Sequence, residues 1–183
     1  MGFYRYQPNA NNFAGIGFSM ADNERIVQVH FTDTPLADSW IAPTAHGFED
    51  NPETEGDFPS LSNFNEIPVM SQRAWEVLRP LISYCCEALP ISHPTGKTYF
   101  IIHVMDTVDC LDAAKSDLTR NATTGRVNRI RRYAFKSGML HGNHVFKLPL
   151  ESSGELIVDD VFRNTVETND LKGLRFKELP VGE

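Results

Sequence analysis

The sequence predicts an α+β fold: a mostly antiparallel sheet with two or three helices, in a single compact domain that carries a loop-rich N-terminal layer. Three observations predict it. The second half alternates short apolar runs with Gly-containing turns, the pattern of antiparallel strands. Two segments instead follow the helical period behind a capping residue. The first seventy residues are weakly periodic and rich in Pro, Asn and Asp. At 183 residues, 41% hydrophobic, the chain suits one core rather than two. The expected division is an acidic, loop-rich layer over residues 1–66 and an α+β core over 67–183.

Taken in order, Glu24–Phe31 reads as a strand after the turn at Asp22-Asn23, with Val27, Val29 and Phe31 on one face. Glu49–Asp57 holds five acids in nine residues together with Pro52 and Gly56, so a solvated loop is expected. Ser71 is placed to cap a helix whose stripe is Ala74, Leu78, Leu81 and Ile82, with Trp75 beside it. Pro80 falls inside that pattern and predicts a kink or a second short helix. Cys85 and Cys86 close the helical pattern as small core residues.

Thr98–Met105 is a nearly unbroken aromatic and β-branched run, the signature of a strand covered on both faces, and His103 is its only ionisable group. Strands at Arg132–Lys136, His144–Leu148 and Glu155–Val158 then suggest a meander. Asp159 or Asp160 caps a helix over Val161–Thr168 with Phe162 and Val166 four apart, and Gly173 ends it. Leu174–Leu179 alternates as the last strand.

Net charge is −7, with a pI near 5.3, which argues against a general polyanion binder such as a nucleic-acid protein. The charge is uneven: residues 1–70 carry −8, 71–114 carry −2, 115–147 carry +7 and 148–183 carry −4. The basic block includes Arg120, Arg126, Arg129, Arg131, Arg132 and Lys136, with Tyr133 and Phe135 interleaved. The expectation is that the aromatics turn into the core while the arginines neutralise acidic blocks elsewhere. No apolar stretch is long enough for a membrane span, and no secretion signal is evident, so a cytoplasmic location without membrane contact is expected. Three cysteines suit a reducing compartment.

Catalytic constellations are sparse. Nothing local activates Cys85, Cys86 or Cys110 as a nucleophile. His141-Gly142-Asn143-His144, with Cys110 or Asp112, lacks a diagnostic metal-ligand spacing, so no metal and no cofactor are expected. Gly15-Ile16-Gly17 is not a phosphate cradle. Asp106, Asp109 and Asp112 follow the central strand and motivate one competing reading, a small hydrolase or transferase working from the Asp106–Asp112 loop. The commoner use of such carboxylates is to cap backbone N–H groups in a turn.

The order of motifs resembles a family of bacterial immunity proteins, the eleventh of those found in polymorphic toxin systems and formerly a domain of unknown function. The residues that carry the resemblance are Gly56-Asp57-Phe58-Pro59, Pro68–Ala74 leading to Leu78-Arg79-Pro80-Leu81, and Leu89-Pro90. They continue through Tyr99-Phe100, Val108–Asp112, Ser116, Tyr133-Ala134-Phe135, Phe146-Lys147-Leu148, Val158–Phe162 and Gly173–Phe176. The resemblance covers roughly residues 40–179. It implies a non-enzymatic antidote that binds and neutralises a cognate protein toxin, one acting in the cytoplasm if the location inferred above holds. It assigns no catalytic residue. The residues expected to meet the toxin are Glu49, Asp50, Glu53, Glu55 and Asp57, a flexible acidic loop suited to a basic cleft.

Overall fold

The computed structural model describes residues 2–47, 52–62, 64, 66–136, 138–140, 142–149 and 154–182. In chain order the elements are β1 (Phe3–Pro8), α1 (Met20–Phe31), β2 (Val69–Ser71), α2 (Gln72–Ile82), β3 (Cys86–Ile91) and β4 (Tyr99–Val104). They continue with β5 (Asp117–Arg120), β6 (Val127–Arg132), β7 (Val145–Lys147), β8 (Leu156–Asp159), α3 (Asp160–Thr168) and β9 (Leu174–Glu178). The strands form a four-stranded sheet ordered β7-β8-β1-β9, a three-stranded sheet ordered β2-β4-β3, and a β5–β6 hairpin, with every strand pair antiparallel. The α+β class predicted from the sequence is the observed one.

The four-stranded sheet takes its inner strand from the start of the chain. β1 lies between β8 and β9, with Tyr4 opposite Val158 and Glu178, and Tyr6 opposite Phe176. Tyr4 and Tyr6 point to one face and Phe3 to the other, as the twofold strand period requires. The expected meander is therefore interrupted. β7 and β8 pair directly, but β9 is separated from β8 by β1.

The segment read as a strand at Glu24–Phe31 is the helix α1. The Ser19 hydroxyl accepts the Asp22 N–H at 3.1 Å and caps it. Ile26 and Val29, three apart, are buried, whereas Phe31 is 54% exposed. Helical spacing buries a compact apolar pair here, and the alternation of Val27, Val29 and Phe31 has no sheet to face.

α2 begins as predicted, with the Ser71 hydroxyl accepting the Ala74 N–H at 3.1 Å. Ala74, Leu78 and Ile82, four apart, are fully buried. Pro80 lies inside one helix, and no second short helix follows. Only two residues separate Pro80 from the cap Ser83, whose N–H reaches the Arg79 carbonyl at 3.0 Å, so few helical bonds lie downstream of the proline. Cys86 opens β3 instead of closing a helix, and both it and Cys85 are buried.

β4 is the central strand expected of its apolar run. Tyr99 and Ile101 face the core under α1, while Ile102 and Val104 face the core under α2. His103 points to the α1 side and is fully buried, with Nδ1 3.0 Å from Glu87 Oε2 and Nε2 2.9 Å from the Thr32 carbonyl. The four-stranded sheet uses one face against α2 and α3 and the other against the β5–β6 hairpin and the loop at 108–111.

β6 ends where a strand was expected to begin. Its register against β5 shifts twice, leaving Asn128 and Arg131 without cross-strand partners. These bulges let Val127 and Ile130, three apart, both reach the core, so simple alternation is absent from the sequence. Residues 133–136 contribute isolated bridges, Tyr133 to Val181 and Phe135 to Leu111.

α3 is capped by Asp159, whose Oδ1 accepts the Phe162 N–H at 2.9 Å. The helix ends before Gly173: Asp170 takes the left-handed conformation at φ 52°, and the Leu171 N–H returns to the Val166 carbonyl at 3.1 Å. Gly173, at φ 100°, serves instead the turn into β9, where its carbonyl accepts the Asn9 N–H at 2.8 Å.

Candidate functional site

Of the five acids expected to meet a partner, Glu49 and Asp50 lie outside the described residues. Glu53 and Glu55 are exposed and line a cleft of about 270 Å³ together with Ile16, Pro59, His93 and Tyr99. Two loops are stitched together to build it. The Ala14 N–H donates to the Thr54 carbonyl at 2.8 Å, and the Ile16 N–H to the Ser60 carbonyl at 2.8 Å. The turn between β3 and β4 supplies the opposite wall through His93 and Thr95.

The cleft has a carboxylate rim around two partly shielded rings. Glu55 forms an ion pair with Lys97, whereas Glu53 makes none with a described residue. Partial burial lowers the pKa of His93, opposed by Glu55 and reinforced by Lys97. Burial raises the pKa of Tyr99, and the nearby Glu55 charge adds to that rise. The two rings lie 5.1 Å apart, and His93 Nδ1 sits 2.7 Å from the Thr95 hydroxyl. This arrangement presents negative charge over an apolar floor.

Asp57 departs from the expectation of a solvated acid. It is only 8% exposed, because its carboxylate is occupied internally: Oδ1 accepts the Ser71 hydroxyl at 2.8 Å, and Oδ2 accepts the Lys172 N–H at 2.8 Å and the Arg73 guanidinium at 3.1 Å. Its sequence neighbours gave no sign of this, since the donors come from the start of α2 and the turn before β9. Asp57 holds the base of the acidic segment in place, with both carboxylate oxygens bonded internally.

The Asp106–Asp112 loop does not converge on a reacting centre. Asp106 accepts the Asn143 amide at 2.5 Å, Asp109 pairs with Lys136 at 2.8 Å, and Asp112 Oδ1 accepts the N–H of Ala114 at 3.1 Å. Asp112 fixes its own turn, whereas Asp106 and Asp109 tie the loop to Asn143 and Lys136, 37 and 27 residues on. Cys110 is fully buried, and desolvation pushes its thiol up to about 12, far from a reactive thiolate. His141 lies outside the described residues, and His144 Nδ1 sits 2.9 Å from Asp159 Oδ2. No cluster of three or more His, Cys, Asp or Glu able to hold a metal occurs among the described residues.

The basic block divides as expected for its aromatics and not for its arginines. Tyr133 is buried and Phe135 half-buried, both in the core behind the hairpin. Arg126, Arg129, Arg131 and Arg132 are exposed, and none makes an ion pair with a described carboxylate. Among the described residues, the neutralisation expected for them is not made through ion pairs.

A buried cation escaped the sequence reading. Lys147, on β7, is 5% exposed and reaches Asp33 at 3.0 Å and the carbonyls of His30 and Thr32 at 3.2 and 3.3 Å. It ties the end of α1 to the four-stranded sheet. Its only signal was a lysine flanked by Phe146 and Leu148 in a strand, which reads equally well as a solvent-facing residue.

No helix among the described residues is long and apolar enough to cross a membrane. No curated protein matches the chain. A family model does match it: residues 12–180 fit the Immunity protein family (Imm11), a span that takes in all three helices and every strand except β1. A match of that extent covers the acidic cleft and the basic hairpin together, and it is a match to toxin-neutralising proteins and not to an enzyme family. The chain belongs to the immunity protein family Imm11.

Proposed function

We infer that this protein neutralises a cognate toxin that acts in the cytoplasm, and that Glu53 and Glu55 on the cleft rim, with Glu49 and Asp50, contact a basic surface of that toxin. The family match over residues 12–180 is the observation that carries the neutralising role. Two further observations support the surface. Glu53 is exposed and has no described ion-pair partner, and Asp57 anchors the segment so that Glu53 and Glu55 are presented from a fixed base. Opposite charge on two docking surfaces accelerates encounter and rejects wrong partners.

The test is protection of cells that express the toxin encoded beside this gene, once confined to the cytosol and once exported to the periplasm. Rescue in the first case and none in the second is the expected result. Protection against the exported form alone would overturn the cytoplasmic target. Replacing Glu49, Asp50, Glu53 and Glu55 by Ser should weaken toxin binding and flatten its dependence on salt. Unchanged affinity and salt slope would remove these residues from the interface.

A further inference from the structure

The unpaired cations of this acidic protein are concentrated in one region. Apart from Arg79, every Lys or Arg without a described ion pair lies on the β5–β6 hairpin or on β9. The same region has an open seam. Among the described strands β6 pairs with β5 alone and β9 with β1 alone, so each has one edge without a described strand neighbour. The two chains meet just beyond these strands, where the Tyr133 N–H donates to the Pro180 carbonyl at 2.8 Å and the Gly182 N–H to the Tyr133 carbonyl at 2.8 Å. Before that junction they part around a slot of about 370 Å³. Asn128, Arg129 and Arg131 line one wall, and Lys177, Glu178 and Pro180 the other.

The floor of the slot is already satisfied. Arg5 reaches Glu155 at 2.5 Å and the Tyr133 hydroxyl at 3.2 Å. Arg129, Arg131 and Lys177 on the walls are exposed and unpaired, so they outnumber the single wall carboxylate, Glu178. A strand paired on one side directs half its backbone N–H and C=O groups to the other, so both walls offer main-chain partners. Cationic side chains over two open strand edges match one kind of occupant: an extended polypeptide bearing carboxylates.

We propose that this slot docks an extended acidic segment of the cognate toxin, a second contact that shares no lining residue with the Glu53–Glu55 cleft. The toxin as occupant rests on the neutralising role proposed above; the acidic, extended character of the segment rests on the slot itself. Nucleic acid fits less well. Tyr133 and Phe135 turn into the core and leave the slot without an open aromatic face for base stacking, and the net charge of −7 opposes a polyanion at long range. Two contacts of opposite sign also fix the orientation of a partner that either alone would leave free.

The experiment measures binding of the full chain to fluorescein-labelled poly-L-glutamate and to labelled oligodeoxythymidine. The wild type, the double variant Arg129→Ser/Arg131→Ser, Lys177→Ser on the opposite wall and the control Arg79→Ser are compared at two salt concentrations. Salt-dependent binding of poly-L-glutamate is expected, weakened about tenfold or more in the double variant, weakened in Lys177→Ser and unchanged in Arg79→Ser. Unfolding midpoints identify any variant that has lost its fold, and the two walls give independent readings. Equal weakening in all variants, no binding by the wild type, or tighter binding of oligodeoxythymidine through the same arginines overturns the proposal. Protection assays separate this result from the neutralising role. A chain that protects cells but ignores poly-L-glutamate refutes the slot alone, and one that binds through the slot but protects against no neighbouring toxin refutes the toxin as occupant.

Discussion

The carboxylate of Asp57 accepts the backbone N–H of Lys172 at 2.8 Å, and the N–H of Asp57 returns to the Lys172 carbonyl at 2.7 Å. The same side chain takes the hydroxyl of Ser71, which caps α2, so one carboxylate ties a helix start to the turn that feeds β9. Hydrogen bonds to a buried charge are the stronger kind, and removing their acceptor strands the donors. Asp57→Ala is expected to lower stability by about 2–4 kcal/mol, measured by urea unfolding. Glu53→Ser should stay within about 0.5 kcal/mol. Similar losses in both would contradict the division between an anchoring acid and a presented one.

Glu87 carries a pH dependence whose sign is fixed by its bonds. Desolvation pushes its carboxyl up, but the Leu36 N–H at 2.8 Å, His103 Nδ1 at 3.0 Å and the Ala37 N–H at 3.4 Å outweigh that, and its pKa is lowered. The unfolded chain therefore takes up this proton more readily than the folded one. The stability so contributed is complete above the ordinary Glu value of about 4.3 and is lost as pH falls through the lower folded value. Glu87→Gln should destabilise the protein near neutral pH by about 1–3 kcal/mol. The gap from wild type should narrow on acidification; a gap that widens below about pH 4 would contradict this account.

Leu78 is the centre of the contact that α2 makes with the sheets. It is fully buried, whereas Leu81, assigned to the same stripe by periodicity, is only half-buried. Leu78→Ala should cost about 2–5 kcal/mol, through lost burial and the cavity left behind. Leu81→Ala should cost clearly less. Thermal unfolding of the two variants orders them directly.

Asp159 combines two uses, the cap of α3 and the partner of His144 at 2.9 Å, and is fully buried. Asp159→Ala is expected to cost about 2–4 kcal/mol. Asp109→Asn removes an ion pair whose carboxylate is 70% exposed, and should cost no more than about 1 kcal/mol. A large loss at Asp109 would assign that loop a role that its geometry does not suggest.

Elements governed by local chemistry were legible in the sequence, except α1, whose Ser19 cap is as local as the others. Ser71 and the pair Asp159-Asp160 announce their helices because an N-cap depends on residues three positions on, and β4 announces itself because both its faces are apolar. Elements governed by distant partners were not legible. β1 has no pattern of its own beyond Tyr4 and Tyr6 and becomes a strand by pairing with β8 and β9. β6 hides its register behind two bulges, and α1 imitates a strand because Val27, Val29 and Phe31 alternate. The acidic segment divided for the same reason. Exposure of Glu53 follows from composition, but the burial of Asp57 depends on donors supplied by residues 71–73 and 172.

The position of β1 has a consequence for synthesis. Phe3 emerges from the ribosome long before its partner Asp159, and the β9 residues opposite Tyr6 follow later still. At elongation rates of about 5–20 residues per second, the opening strand waits roughly 8–30 s for the chain it must join. A chain stopped before Leu174 leaves that strand with a neighbour on one side only. The largest sheet of this architecture thus closes only after β9 has been synthesised.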